Sequence, residues 1–372
     1  MFHTAEIRCE LSKDKYNDLA KRGHTDSKSK NRWQITNRNL NEYGISKIQV
    51  WKKTENDFPC YFIQCVVNLP KLATYGARTS YVNLSTEKDI PSIKEAFAIL
   101  IQDFSPALPQ NIDDWTLNRL DYAVNLDIGH TLSRLYPALL NRGKPRGRTI
   151  DRDEHDSSYS YGNDSWDYNL YSKGEEAERT EDDPYSIWDR RGLTDNEKIR
   201  YQMEADGVFR IEAQYKKRKL YSSMQSHDTG PKRTLSALVK NDIALKELSR
   251  AVAYISPPNA PYRSRKETEK RIRSTSHREA TKEKMLDCVD QISRARSHSR
   301  IAELYAEYKD VVRLMLKDGI NPVALRDSEI KELRRIDRNS PSKTCVYWTD
   351  DELEPLSRVL ERQIVWVEMW KD

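Results

Sequence analysis

The chain has 372 residues, which at about 150 residues per domain suggests two domains. Only 37% of residues are hydrophobic and 33% are charged, but 20 Tyr, 8 Trp and 6 Phe supply apolar surface that disordered chains of similar charge lack, so a folded globular protein is expected. No apolar run approaches the roughly 18 residues of a membrane span, and Glu6, Arg8 and Glu10 interrupt any apolar leader, so the expectation is a cytoplasmic protein with no membrane partner.

The first 225 residues read as strands mixed with helices. Three segments between 115 and 217 carry the alternation of a strand with two unlike faces. In Leu117–Leu126, the residues Leu120, Tyr122, Val124 and Leu126 share an apolar face, while Arg119, Asp121 and Asn125 point the other way. In Trp166–Lys173, Trp166, Tyr168 and Leu170 align against Asp167, Asn169, Tyr171 and Lys173. In Val208–Tyr215, Phe209, Ile211, Ala213 and Tyr215 oppose Arg210, Glu212 and Gln214. Between them, residues 151–183 are rich in Asp and Glu and read as an acidic loop. The turn-forming stretch Ser226-His227-Asp228-Thr229-Gly230-Pro231 marks a boundary, giving a domain over 1–225 and a second over 226–372 that reads as almost entirely helical. Within the second, Ser256–Pro261 is a further break, and Ile301, Leu304, Tyr305, Tyr308, Val311, Val312, Met315 and Leu316 fall at the spacing of one helix stopped by Gly319 and Pro322. The fold class expected is α+β: a central antiparallel sheet with helices on one face, followed by a mostly α-helical C-terminal domain.

If the three strands pair in one sheet, Asp121, Glu212, Tyr171 and Lys173 share an open surface. Two carboxylates on neighbouring strands are hard oxygen ligands suited to Mg²⁺ or Mn²⁺, ions that bind one or two carboxylates together with phosphate oxygens. Tyr171 needs a base, a metal or a nearby cation to become a nucleophile, because a phenol has a pKa of about 10. Lys173 on the same face supplies such a cation. The same alternation also arises on any one-sided sheet, where Arg119, Asp121, Arg210 and Glu212 would form exposed cross-strand ion pairs of little energetic weight.

Charge and metal-ligand spacing narrow the chemistry further. The net charge of +5, from 63 Lys and Arg against 58 Asp and Glu, is unevenly spread. Lys216, Lys217, Arg218 and Lys219 form one basic cluster, and Arg263, Arg265, Lys266, Lys270, Arg271 and Arg273 form another. Beside Tyr215, Tyr221 and Tyr262 these clusters suit a phosphate backbone with stacking bases, and equally suit solvated helix faces. Five Cys are scattered without a CxxC pair, and seven His form no HxH or HExxH, which leaves carboxylates as the metal ligands to consider and reduced thiols as the state of the cysteines.

Three motifs resemble those of the filamentous-phage gene II/X replication proteins and of the rolling-circle initiators of small Gram-positive plasmids. Thr116–Ala123 is similar to that family's Arg-hydrophobic-Asp strand, Asn169–Glu175 to its Tyr-x-Lys segment, and Val208–Gln214 followed by Leu220 to its Arg-hydrophobic-Glu strand. Weaker similarity runs through Gly44–Ala73, with a turn at Phe58-Pro59-Cys60, and through Tyr308–Leu325. The resemblance implies a rolling-circle DNA replication initiator that nicks one origin strand with Tyr171, holds it as a 5′-phosphotyrosyl intermediate and rejoins it. It also implies Lys173 as a catalytic helper, Asp121 and Glu212 as ligands of Mg²⁺ or Mn²⁺, and DNA contacts from Arg119, Arg210 and Lys216–Lys219. Expected partners are origin DNA with a single-stranded nick site, a host helicase and polymerase, and a second copy of the chain, in a bacterial host cell. The energy of the broken phosphodiester is kept in the tyrosyl ester, so no nucleotide is required, and no GxxxxGK[ST] occurs. A relaxase or transposase with the same chemistry, or a DNA-binding replication or regulatory protein without it, are the competing expectations. Tyr168 competes as nucleophile but falls on the apolar face. Gln49 and Gln214 are candidate third ligands, and His155 and Glu175 candidate proton shuttles.

Overall fold

A computed structural model describes residues 1–25, 31–76, 82–143, 158–182, 193–257, 259–336, 346–349 and 351–369. His155 and the acid-rich segment 151–156 lie outside the described residues. The chain is α+β, with an antiparallel sheet and many helices, as its alternation predicts. Nine strands, β1 (Phe2–Leu11), β2 (His24–Thr25), β3 (Arg32–Ile35), β4 (Ile45–Glu55), β5 (Phe58–Asn68), β6 (Thr116–Asp127), β7 (Ser158–Gly162), β8 (Trp166–Ser172) and β9 (Val208–Lys216), form one sheet. Its order is β2-β3-β4-β5-β1-β6-β9-β8-β7. The chain divides into two units, the first of Met1–Val124, Asp164–Trp166 and Glu212–Glu247, the second of Asn125–Asn163, Asp167–Ile211 and Leu248–Asp372. Both β6 and β9 pass from one unit into the other. Among the described residues no helix is long and apolar enough to cross a membrane.

In unit 1, β4 and β5 form a hairpin whose two loop residues, Asn56 and Asp57, take φ of 50° and 64°. Left-handed backbone at both positions matches the right-handed twist of the strands, and Asn and Asp tolerate it better than other non-glycine residues. The turn therefore sits two residues before the one expected at Phe58-Pro59-Cys60, which opens β5 instead. Pro59, opposite Thr54, is accommodated because β1 ends opposite Tyr61, so no third strand asks Pro59 for an N–H.

Register sorts unit 1's side chains into two faces. One face packs Ile7, Cys9, Val50, Ile63, Cys65 and Val67 into the core. Helix Lys13–Lys21 adds Tyr16, 5.6 Å from the Trp33 ring and 4.8 Å from the Tyr61 ring, and helix Ile90–Phe104 adds Phe97, edge-on to Trp115 at 5.6 Å. The opposite face carries two cross-strand rows. Gln34 pairs with Gln49, Gln49 with Gln64, Gln64 with Arg8, and Arg8 with Thr116. Beside it, Arg32 pairs with Trp51, Trp51 with Phe62 and Phe62 with Glu10.

In unit 2, helix His130–Asn141 buries Leu132, Leu135, Tyr136, Leu139 and Leu140, and the Tyr136 hydroxyl donates to the Glu354 carbonyl at 3.0 Å. Arg142 Nη2 donates to both Glu329 carboxylate oxygens at 2.6 and 2.7 Å, joining that helix's end to helix Asp327–Arg335. The apolar stripe from Ile301 to Leu316 is two helices, His298–Glu307 and Lys309–Lys317, separated where Tyr308 leaves helical geometry at φ −95°, ψ 20°. Hydrophobic spacing carries across such a break, which is why the sequence reads as one helix. Gly319 does end the second helix: its φ is 71°, and a Cβ there would lie 2.8 Å from the Asn259 carbonyl oxygen. The region after 226 also contains a two-stranded sheet, β10 (Tyr262–Arg263) with β11 (Glu352–Leu353).

The expected open polar surface is the main departure. Asp121 is 1% exposed, Glu212 8%, Lys173 4% and Arg210 0%. Strand β9 is buried on both faces from Val208 to Tyr215. Alternation here separates an apolar layer from a buried polar one.

Candidate functional site

Arg119 and Asp121 are two residues apart on β6 and therefore share a face. Arg119 Nε donates to Asp121 Oδ1 at 2.8 Å and Nη2 to Oδ2 at 2.5 Å, a two-point ion pair. Glu6 on β1 stands opposite Arg119 in register, and Glu212 Oε1 lies 3.8 Å from His3 Nδ1. Unit 1 thus gathers three carboxylates around one guanidinium. Burial alone would lower the Arg119 pKa, but the hydrogen bond and charge of Asp121, with the charges of Glu6 and Glu212, raise it above the ordinary arginine value. The Glu6 carboxyl is pushed up by burial, against the opposing charges of Arg119, Lys47 and Arg32.

Hard carboxylate oxygens are the right donors for Mg²⁺ or Mn²⁺. Here both Asp121 oxygens already accept from Arg119, and among the described residues no group of three or more His, Cys, Asp or Glu is placed to hold a metal ion. As arranged, these residues do not fit such an ion: a guanidinium stands where it would bind. Of the two candidate third ligands, Gln214 is buried on β9, and Gln49 belongs to the glutamine row of the β3–β5 face.

The tyrosine site is in unit 2. Tyr171 lies near the end of β8, opposite Ser158, and is half-buried, whereas Tyr168 is 6% exposed on the same strand. Lys173 opens helix Lys173–Asp182; its ammonium ion-pairs with Glu176 and lies 5.5 Å from the Tyr171 ring centroid. A cation over an aromatic face is attracted to the ring's negative quadrupole, so the two side chains hold each other in place. Ser172 joins them to the rest of the unit, its Oγ 3.2 Å from Ser133 Oγ and accepting from the Glu175 N–H at 3.5 Å.

The described part of the acidic segment is this helix rather than a loop. Glu175 and Glu176 sit in its first turn, where carboxylates favour the positive end of the helix dipole, and Ala177 packs inward. Glu175, considered as a proton shuttle, ion-pairs with Arg134, which also reaches Glu178 at 3.3 Å.

The basic residues separate. Arg210 is fully buried, with Nε donating to Asn125 Oδ1 at 2.8 Å, so it has no surface on which to meet a phosphate. Lys217 and Arg218 are exposed on the first turn of helix Lys217–His227. That helix has no side-chain cap and no acid in its first turn, and Lys219 Nζ lies 5.1 Å from the Tyr215 ring centroid. Unsatisfied first-turn amides and basic side chains add up to a positive end.

Two features escape sequence reasoning. Glu247, 1% exposed, accepts from Tyr215 Oη at 2.7 Å and Ser223 Oγ at 3.3 Å, with His227 Nε2 at 2.8 Å, anchoring helix Lys217–His227 to helix Asn241–Ile255. Nothing in its local sequence marks Glu247 as buried. The glutamine row does have a signal, the alternation Arg32-Trp33-Gln34, Gln49-Val50-Trp51 and Phe62-Ile63-Gln64, but only register makes it a row. Compared with protein-family models, curated proteins and solved structures, the chain matches none.

Proposed function

We propose that this chain is a rolling-circle DNA replication initiator, a nicking and joining enzyme in which Tyr171 is the nucleophile. The observation that carries the reading is the Tyr171–Lys173 pair: a half-buried phenol under an ammonium ion, on the motif that resembles the initiators' Tyr-x-Lys segment. Tyr171 Oη attacks the phosphorus of one origin phosphodiester, giving up its proton; the new P–Oη bond replaces the bond to the 3′ oxygen, which leaves and is protonated. A 5′-phosphotyrosyl ester and a 3′-hydroxyl result, and attack by a 3′-hydroxyl on the ester reverses the exchange and closes the strand. Lys173 stabilises the phenolate and the phosphate charge electrostatically. Lys216–Lys219 and Arg119 contact DNA in this reading, residues 1–225 carry the chemistry, and residues 226–372 position DNA or self-associate. The 3′-hydroxyl primes a host polymerase beside a host helicase in a bacterial cytoplasm. A Mg²⁺ or Mn²⁺ ion on Asp121 and Glu212 enters this reading only if Arg119 leaves Asp121.

A second reading, a DNA-binding replication or regulatory protein without chemistry, is favoured by that same Arg119–Asp121 ion pair. One experiment separates them. Single-stranded oligonucleotides tiled across the parent replicon's origin and labelled at the 3′ end are incubated with the protein and Mg²⁺ or Mn²⁺, then run under denaturing conditions. A labelled protein band that disappears in Tyr171→Phe is expected. A full-strength band in Tyr171→Phe overturns the nucleophile, and salt-dependent binding without any band overturns the enzyme in favour of the second reading.

A further inference from the structure

We infer that the polar face of β3, β4, β5, β1 and the start of β6 is a binding surface for single-stranded DNA that runs along the glutamine row, with bases over the glutamines and its phosphates held most strongly at the arginine end. That the strand is DNA rests on the nicking reading; the surface itself does not.

The row Gln34-Gln49-Gln64-Arg8-Thr116 crosses five adjacent strands in register, and every member is half-buried, within reach of a ligand but held by its neighbours. At about 4.8 Å per strand it is about 19 Å long, the span of about five stacked nucleotides at ~3.4 Å each. An amide carries both a donor and an acceptor and can pair with any base edge. The side chains of Gln34 and Gln49 have no hydrogen-bond partner among the described residues, and Gln64 accepts from Asn118 Nδ2 at 3.3 Å.

The second row supplies stacking at Trp51. Phe62, 7% exposed, lies beneath the Arg8 guanidinium, 4.6 Å from its ring centroid, and backs the half-buried Trp51 ring at 5.6 Å, while the Arg32 guanidinium lies 5.6 Å from the Trp51 centroid. An accessible aromatic ring beside a flat cation stacks on bases without regard to sequence.

Charge fixes the backbone's place. Arg233, whose carbonyl accepts from the Leu117 N–H, has its pKa lowered by burial and by the charge of Arg8, so two like charges meet at this end. Arg233 Nη1 also donates to the Lys217 carbonyl, which brings the basic helix start to the same place. Like charges drawn together repel until a polyanion lies between them. Acids share the face as well: Glu6 stands opposite Arg119, which holds Asp121, Glu10 is the exposed end of the stacking row, and Glu55 at the far end of β4 ion-pairs with Lys53 at 3.1 Å.

The test uses full-length Tyr171→Phe in EDTA, so that no chemistry is needed, and reads fluorescence anisotropy of labelled mixed-sequence oligonucleotides. The single-stranded DNA is expected to bind more tightly than the same sequence as duplex or as RNA. Trp51→Ala, and separately Gln49→Ala with Gln64→Ala, should weaken binding at least about fivefold, the low end of one base's stacking (~1 kcal/mol). Arg233→Ala should reduce the salt slope by about one. The glutamine pair serves as the control for folding, since it sits outside the core. Unchanged affinity in both the tryptophan and the glutamine variants overturns the surface, and tighter binding of duplex or RNA overturns the occupant. Row-dependent binding without a covalent band sinks only the nicking reading; a covalent band with row-independent binding sinks only this one.

Discussion

Strands β5 and β9 carry the same two-residue period and meet different fates. On β5, Ile63, Cys65 and Val67 are buried, while on the opposite face Gln64 and Val66 remain half-buried beside a buried Phe62; on β9, Arg210, Glu212 and Gln214 are buried along with Phe209, Ile211 and Ala213. Alternation reports which side chains face the same way. Whether a face meets solvent depends on what lies over it. A polar face that is covered becomes a set of mutual ion pairs and hydrogen bonds, because a buried polar group without partners costs free energy, whereas a half-buried polar face keeps capacity for a ligand. The contrast puts Asp121 in one class and Gln49 in the other.

That contrast is breakable in order of effect. Arg119→Ala strands the Asp121 carboxylate in the buried layer and is expected to lower stability by about 2–3 kcal/mol in urea unfolding, somewhat less than a fully buried pair, because the guanidinium keeps 28% exposure. The same variant decides the ion: if Asp121 and Glu212 are its ligands, Mn²⁺ binds the variant more tightly than the parent chain in calorimetric titration and restores part of the lost stability. A variant indifferent to Mn²⁺ removes the ion from the reading.

Two acids of unit 1 then respond to pH in opposite senses. Burial raises the Asp113 pKa, but hydrogen bonds from Lys94 and from the Ser236 hydroxyl and N–H outweigh it and hold the carboxyl below its usual range. Its contribution is present above about pH 4 and is lost as pH falls through the depressed folded value. Asp113→Asn should therefore cost about 1–3 kcal/mol at neutral pH, with the deficit closing in acid. Glu6 has the reverse sign: its raised pKa disfavours the charged form in the fold, so Glu6→Gln should gain stability at neutral pH and match the parent below about pH 4. Parallel stability curves for either variant across that range would refute the assignment of its charge.

The smallest expected effect belongs to the half-buried row. Gln49→Ala and Gln64→Ala should each stay within about 0.5 kcal/mol of the parent chain in thermal unfolding. A larger loss would place the row in the structural layer with β9.

Much of the candidate site is legible in the amino-acid order. The extents of β6, β8 and β9 follow from their apolar alternation, Arg119 and Asp121 share a face because two residues separate them, and Tyr168 is more buried than Tyr171 as its apolar neighbours predict. Other parts depend on context. Helix Lys173–Asp182 was hidden by its acidity, which without the Ser172 contact to the Glu175 N–H looks like a solvated loop. The break at Tyr308 leaves hydrophobic spacing intact, and the Asn56–Asp57 turn lies next to a proline that looks like the stronger turn signal.

By itself the sequence determined which residues form strands, which of them face together and where charge concentrates, because these depend on side chains within a few positions of each other. Only the tertiary structure decided that Gln34, Gln49, Gln64 and Arg8 stand in one row, that Arg119 occupies Asp121, and that Arg210 is sealed inside. Those outcomes depend on pairing between distant segments and on the desolvation each pairing imposes, neither of which a local pattern contains.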